Sequence, residues 1–150
     1  EPGQLTSDHG WDIPENRSLL LETNTMLREE KIRSSLFLDP VPDQVNEAAE
    51  VGSDRIELYT EEYASKYGTE AESACWLTYA ETAIRALELN IGVNAGHDLD
   101  LSNLARFLEI DSILEVSIGH ALVVESIQYG LEIVIEKYLA IAADSASLKT

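Results

Sequence analysis

The chain has 150 residues, 45% of them hydrophobic, with 28 acidic against 10 basic side chains and a formal charge of -18. That is the size of one domain with a buried core, whereas a full eight-stranded α/β barrel needs roughly 250 residues, so about four strand–helix units fit. So acidic a chain argues against nucleic acid and anionic membranes as partners, and no apolar run reaches the ~20 residues of a membrane span.

Residues 1–10 are polar and turn-rich and read as a loop containing Thr6, Ser7, Asp8 and His9. The chain opens inside that loop with no initiator Met at Glu1, which points to residues missing upstream; no signal peptide is visible. Pro14 is a favourable first helical residue, and a helix is expected to about residue 30 with Leu19, Leu20, Thr23 and Leu27 on one face. Residues 32–38 form the first strand, stopped by Asp39-Pro40. Pro42 opens a short helix with Val45, Ala48 and Ala49 as its apolar stripe and Gly52 as its C-terminal stop. Residues 55–59 form the second strand, and 60–68 a loop with room for a helical turn. Thr69 and Glu72 have the spacing of a capping box for a long helix to about residue 89. Cys75, Trp76 and Tyr79 lie on it at helical spacing and read as core. The third strand is 91–94, Ser102 is a candidate cap for a helix to about 108, the fourth strand is 113–118, and a last helix covers roughly 121–142.

A leading helix followed by four strand–helix units implies an α/β fold with a parallel sheet and right-handed crossovers. Two of its strands end in a Gly-His pair, Gly96-His97 and Gly119-His120. Loops at the C-terminal ends of parallel strands are where ligands bind, because helix N-termini and free backbone N–H groups converge there. Glycine lets backbone approach a ligand, and the adjacent imidazole can exchange a proton near neutral pH. An anionic substrate and a proton-transfer step suit both features. With so few basic groups, a phosphate must be held by local geometry. Cys75 is the single cysteine, so there is no intrachain disulfide and no cysteine metal cluster, which suits a reducing, cytoplasmic setting.

Several stretches in one register resemble the pyridoxine 5′-phosphate synthase family. They are Leu5-Thr6-Ser7-Asp8 before Gly10-Trp11-Asp12, Ser35-Leu36-Phe37-Leu38-Asp39-Pro40, and Ala49-Glu50-Val51-Gly52-Ser53-Asp54-Arg55-Ile56-Glu57-Leu58. Tyr63-Ala64, Val93-Asn94-Ala95-Gly96-His97 and Ile118-Gly119-His120-Ala121 continue them. The resemblance implies a (β/α)8 TIM barrel, of which this chain would carry the C-terminal half, strands five to eight, as a single domain. It implies condensation of 1-deoxy-D-xylulose 5-phosphate with 3-amino-2-oxopropyl phosphate to pyridoxine 5′-phosphate, phosphate and water, without a cofactor or metal. By the same resemblance, His97 matches the proton donor and Glu57 a transition-state-stabilising carboxylate. Thr6 matches a contact to the deoxyxylulose phosphate; Asp98, Gly119 and His120 match contacts to the amino-oxopropyl phosphate. Schiff-base formation, dehydration, phosphate loss and ring closure all need the proton shuttling that imidazole and carboxylate supply.

The chain also departs from the family. Asp98 stands where Gly is common, which points to a backbone contact there; Ser117 stands where Asn is common, and Glu125 where Arg is common. The family's first four strands, with their substrate-binding Asn, Arg and His groups and catalytic His and Glu bases, are not in this sequence. The alternative function is therefore a catalytically incomplete half-barrel that binds a phosphorylated ligand or serves as a structural or oligomerisation module. For single residues, His97 and His120 also fit loop or capping histidines, and Glu57 fits an ion pair with an arginine such as Arg33. His9 and the Glu29-Glu30 and Glu61-Glu62 pairs read as solvated. A sheet cut from a barrel would expose two edges and apolar residues that faced the missing half, so a homo-oligomer is expected.

Overall fold

The computed structural model describes residues 7–148; Thr6 lies outside them. In chain order the elements are α1 (Ile13–Glu29), β1 (Ser35–Leu38), α2 (Pro42–Glu50), β2 (Arg55–Tyr59), α3 (Glu61–Lys66) and α4 (Glu72–Glu88). β3 (Gly92–Gly96), α5 (Leu104–Phe107), β4 (Ile113–Ser117), α6 (His120–Tyr129) and α7 (Leu131–Leu148) complete the chain. The strands make one parallel sheet in the order β1-β2-β3-β4, the α/β arrangement of half a TIM barrel. Among the described residues no helix is long and apolar enough to cross a membrane.

Helix ends explain much of this framework. Asp12 caps α1, its carboxylate accepting from the Glu15 N–H at 3.0 Å. α1 buries Ile13, Leu20 and Asn24, with Thr23 and Leu27 half-buried on the expected face; of that face Leu19 alone is exposed. After α2, Gly52 takes φ +74°, its N–H donating to Ala49 O and the Ser53 N–H to Ala48 O. That is a Schellman stop, and α1 and α4 end the same way on left-handed Lys31 and Asn90. Thr69 and Glu72 do not form a capping box on α4. Glu72 instead accepts from the Gly68 N–H and Thr69 Oγ1 from the Ala71 N–H, one turn early. Asp100, not Ser102, gathers the N–H groups before α5, accepting from Ser102 and Asn103. The final helix is broken in two at Gly130, which has φ +93°.

The strands bury one face against the helices through Leu36, Leu38, Ile56, Leu58, Val93 and Ala95. Beneath them Tyr63, Tyr79 and Phe107 form an aromatic cluster with ring separations of 5.0 to 6.1 Å. Both buried phenols are satisfied: Tyr63 donates to Asn103 O and Tyr79 to Tyr59 O, each at 2.8 Å. Burial raises the Tyr79 pKa well above its ordinary value, so the phenol stays a donor. Cys75 is buried, and Trp76 donates to Arg106 O, as expected of core residues.

The opposite sheet face carries Phe37, Arg55, Glu57, Tyr59, Asn94, Glu115 and Ser117. It is therefore not the apolar face expected of a barrel interior. Arg55 bonds Glu115 at 2.9 Å and Asn94 at 2.8 Å, and Arg33 reaches the same Glu115 at 3.1 Å. A register shift at Val93/Asn94 aligns Asn94 with Glu115 and Gly96 with Ser117, completing that polar face. Most of the large apolar side chains left uncovered lie instead on the helices, among them Val123, Ile127, Leu131 and Leu139, with Leu114 of β4 exposed as well.

Candidate active site

Parallel pairing brings the C-terminal ends of β2, β3 and β4 side by side, with Tyr59 opposite Gly96 and Gly96 opposite Ser117. Glu57 points from the polar face toward Gly96. A Cβ at that glycine would stand 2.5 Å from Glu57 Oε1 and 3.1 Å from Ser117 Cβ, so only glycine leaves room for the carboxylate. Burial raises the Glu57 pKa; a hydrogen bond from Ser117 opposes the shift, and repulsion from Glu115 adds to it. The ion pair of Glu57 with Arg33 that the sequence left open does not form, because Arg33 and Arg55 are both engaged by Glu115.

His97 follows Gly96 directly. Its ring packs edge-on against Tyr59 at 4.9 Å and 81°, and Tyr59 in turn lies 5.3 Å from Phe37. The ring Nδ1 is buried and makes no hydrogen bond. Asp98 Oδ2 stands 3.2 Å away, close enough to form an ion pair when the ring is protonated but without hydrogen-bond geometry. His97 caps no helix, since α5 begins after Asn103. The Asp98 side chain thus lies beside the His97 ring, while its carbonyl accepts from Asn103 Nδ2 at 3.1 Å.

On the neighbouring strand end, Gly119 precedes α6 and no side chain caps that helix. A Cβ at Gly119 would meet nothing within 4 Å, so space is open above its backbone. His120 is the first residue of α6 and is exposed. An uncapped helix start with open space beside it suits an anion. Glu125 cannot be replaced conservatively by an arginine here: it accepts from the Leu101 N–H and from the Tyr138 hydroxyl, tying α6 to the loop after β3 and to α7.

Glu57, His97 and Asp98 are therefore brought together, with Gly119 and His120 on the adjacent strand end, while Thr6 lies outside the described residues. His9 is exposed beside Asp8. Sequence reasoning did not single out Tyr59 or Thr60, and it read Gly96 as room for a ligand rather than for Glu57. The alternation of Glu57 and Tyr59 on one strand face was a usable signal for Tyr59; the pairing of Gly96 with Glu57 needed the sheet register. The charges that bear on the Tyr59 phenol, from Glu61, Asp98, Asp8 and Asp39, are all acidic. Among the described residues no group of three or more His, Cys, Asp or Glu side chains could hold a metal ion.

Comparison with known proteins shows the family. The family model described as pyridoxal phosphate biosynthesis protein PdxJ matches residues 1–144. A pyridoxine 5′-phosphate synthase of Albidiferax ferrireducens is 42% identical over 146 residues, covering 97% of this chain and 58% of the relative. Those of Christiangramia forsetii and Xanthomonas campestris pv. campestris are 47% and 43% identical over 136 and 146 residues, 90% and 97% of this chain and 57% of each relative. The chain thus spans little more than half the length of these curated relatives. With the family model matching residues 1–144 and relatives 42–47% identical over nine-tenths or more of its length, the chain belongs to the PdxJ family of pyridoxal phosphate biosynthesis proteins.

Proposed function

We propose that this chain supplies the C-terminal half of a pyridoxine 5′-phosphate synthase site, joining 1-deoxy-D-xylulose 5-phosphate to 3-amino-2-oxopropyl phosphate. The observation that carries the reading is the pairing, on adjacent strand ends, of a half-buried carboxyl held against Gly96 with a histidine whose Nδ1 is unbonded. His97 then delivers a proton to a departing oxygen. Glu57, aimed at the same mouth, stabilises positive charge on the Schiff-base nitrogen. Asp98 steadies the imidazolium, and the backbone at Gly119 with His120 receives the phosphate of the amino-oxopropyl substrate. Thr6 is assigned the deoxyxylulose phosphate.

A second reading, a half-barrel that binds without turning over, is favoured by the charge at the mouth. Carboxylates surround Tyr59, whereas two phosphorylated substrates call for cationic groups. In the enzyme reading those groups come from the four strands that precede this half. The purified 150-residue chain, given both substrates, separates the readings when it is assayed alone and with the N-terminal half of a relative added. Product only with the added half is the expected result. Product from neither mixture would leave the binding module.

The open edges β1 and β4 and the apolar α6–α7 surface lead us to propose further that the isolated chain self-associates. Light scattering at micromolar concentration is expected to give at least a dimer, and a monodisperse monomer would overturn this.

A further inference from the structure

Four non-glycine residues among those described have positive φ. Lys31 and Asn90 are helix stops, where that conformation has a local cause. The other two are consecutive and belong to the site: His97 at φ +95° and Asp98 at φ +57°. A side chain with a Cβ adopts such a backbone only when its surroundings over-determine it.

The constraint on this turn comes from Thr60, which directly follows β2 and is fully buried. Its N–H donates to Gly96 O at 3.1 Å, and its Oγ1 donates to His97 O at 2.5 Å. One residue thus holds two successive carbonyls of a loop that is 37 positions away. Both peptide groups flanking the His97 Cα are fixed, and with them the direction of its Cβ and the edge-on seat of the ring against Tyr59. The backbone N–H of any residue could make the first bond. The second needs a hydroxyl.

We propose that Thr60 is a positioning residue, whose hydroxyl locks the left-handed turn at His97 and so holds the imidazole where it transfers a proton; the catalytic part of this rests on the reading of His97 as proton donor. Thr60 touches no reacting atom in this scheme. It acts through the carbonyl of His97, and nothing in the local sequence marks it for that task.

The test compares Thr60→Val, which keeps shape and removes the hydroxyl, with Thr60→Ser, which keeps the hydroxyl. The first readout is the NMR spectrum of the His97 ring in the 150-residue chain, assigned with His97→Ala. Packing against Tyr59 gives the ring protons a ring-current shift. Valine is expected to abolish or broaden that shift, while serine keeps it. The second readout is kinetic, in whichever mixture makes product. Valine is expected to lower kcat by up to about a hundredfold, the scale of a ~1 Å misplacement, with little change in KM, and serine to restore it. Wild-type ring shifts in Thr60→Val overturn the proposal. So does a folded serine variant that loses the wild-type ring-current shift, a result that stands even where the valine variant fails to fold. A wild type that makes no product in any mixture overturns the proton-donor reading instead, and the ring shifts still decide the clamp.

Discussion

Replacing His97 with alanine is expected to reduce turnover of the complemented enzyme by roughly two to four powers of ten, the range for one positioned general acid. The substrate-holding groups proposed at Gly119 and His120 lie on a different strand end, so KM should change far less. Initial rates at saturating substrate, with both halves present, measure the effect. Turnover within a few-fold of wild type would remove His97 from the proton-donor role. The backbone at this position adds a second, independent readout. Alanine inherits the φ of +95°, whereas glycine relieves it. His97→Gly should thus be more stable to urea than His97→Ala, by about 1 kcal/mol, although both lack the imidazole. An activity loss shared by both variants, with stability differing between them, assigns the loss to the ring and not to the turn.

Replacing Glu57 with glutamine is expected to lower turnover by about 10²–10³-fold, since the shape of the side chain remains and only its charge is removed. The same variant should be more stable than wild type at pH 7. Burial holds the Glu57 pKa above its ordinary 4.5, so the folded state binds this proton more tightly than the unfolded chain does. Its contribution is therefore fully present below that ordinary value and is lost as pH rises through the window up to the raised pKa. Glutamine does not titrate and escapes the loss. Urea midpoints measured between pH 4 and 8 should show the gap between variant and wild type opening as pH rises, about the range in which carboxylates titrate. A glutamine variant less stable than wild type at pH 7 would contradict the origin assigned to the shift. One with wild-type turnover would take Glu57 out of the chemistry.

The two predictions describe one trade. Glu57 is kept partly desolvated, with Ser117 as its hydrogen-bond partner and no arginine, and His97 is kept in a left-handed turn. Each feature is unfavourable locally: Glu57 has no cationic partner, and the His97 Nδ1 makes no hydrogen bond.

How much of this was legible in the sequence differs from one element to the next. The alternation of apolar β-branched runs with 3.6-residue patterns predicted the parallel α/β order, and Pro14, Pro42 and Gly52 marked helix ends where the helices do begin or stop. Gly52 was readable because glycine accepts a positive φ at little strain; Lys31 and Asn90 perform the same stop without that signature. Gly130 was available as a break in the last helix but lies inside an unbroken apolar pattern, which favoured reading one helix through it. At the site, the Gly-His pairs stood out by type and position alone, whereas Glu57 and Asp98 were marked by the family resemblance.

The sequence by itself determined the strand–helix alternation and, with the family resemblance, the candidate groups His97, Glu57, Asp98, Gly119 and His120, because hydrophobic periodicity and residue chemistry are local properties. Only the tertiary structure decided which of those groups are free to act. Sheet register placed Glu115 between Arg33 and Arg55, 82 and 60 residues away by numbering, and so left Glu57 facing Gly96 without an arginine. A hydroxyl 37 positions from His97 held its turn. Ion-pair choice and backbone strain depend on which distant groups arrive at contact distance, and that is a property of the folded sheet.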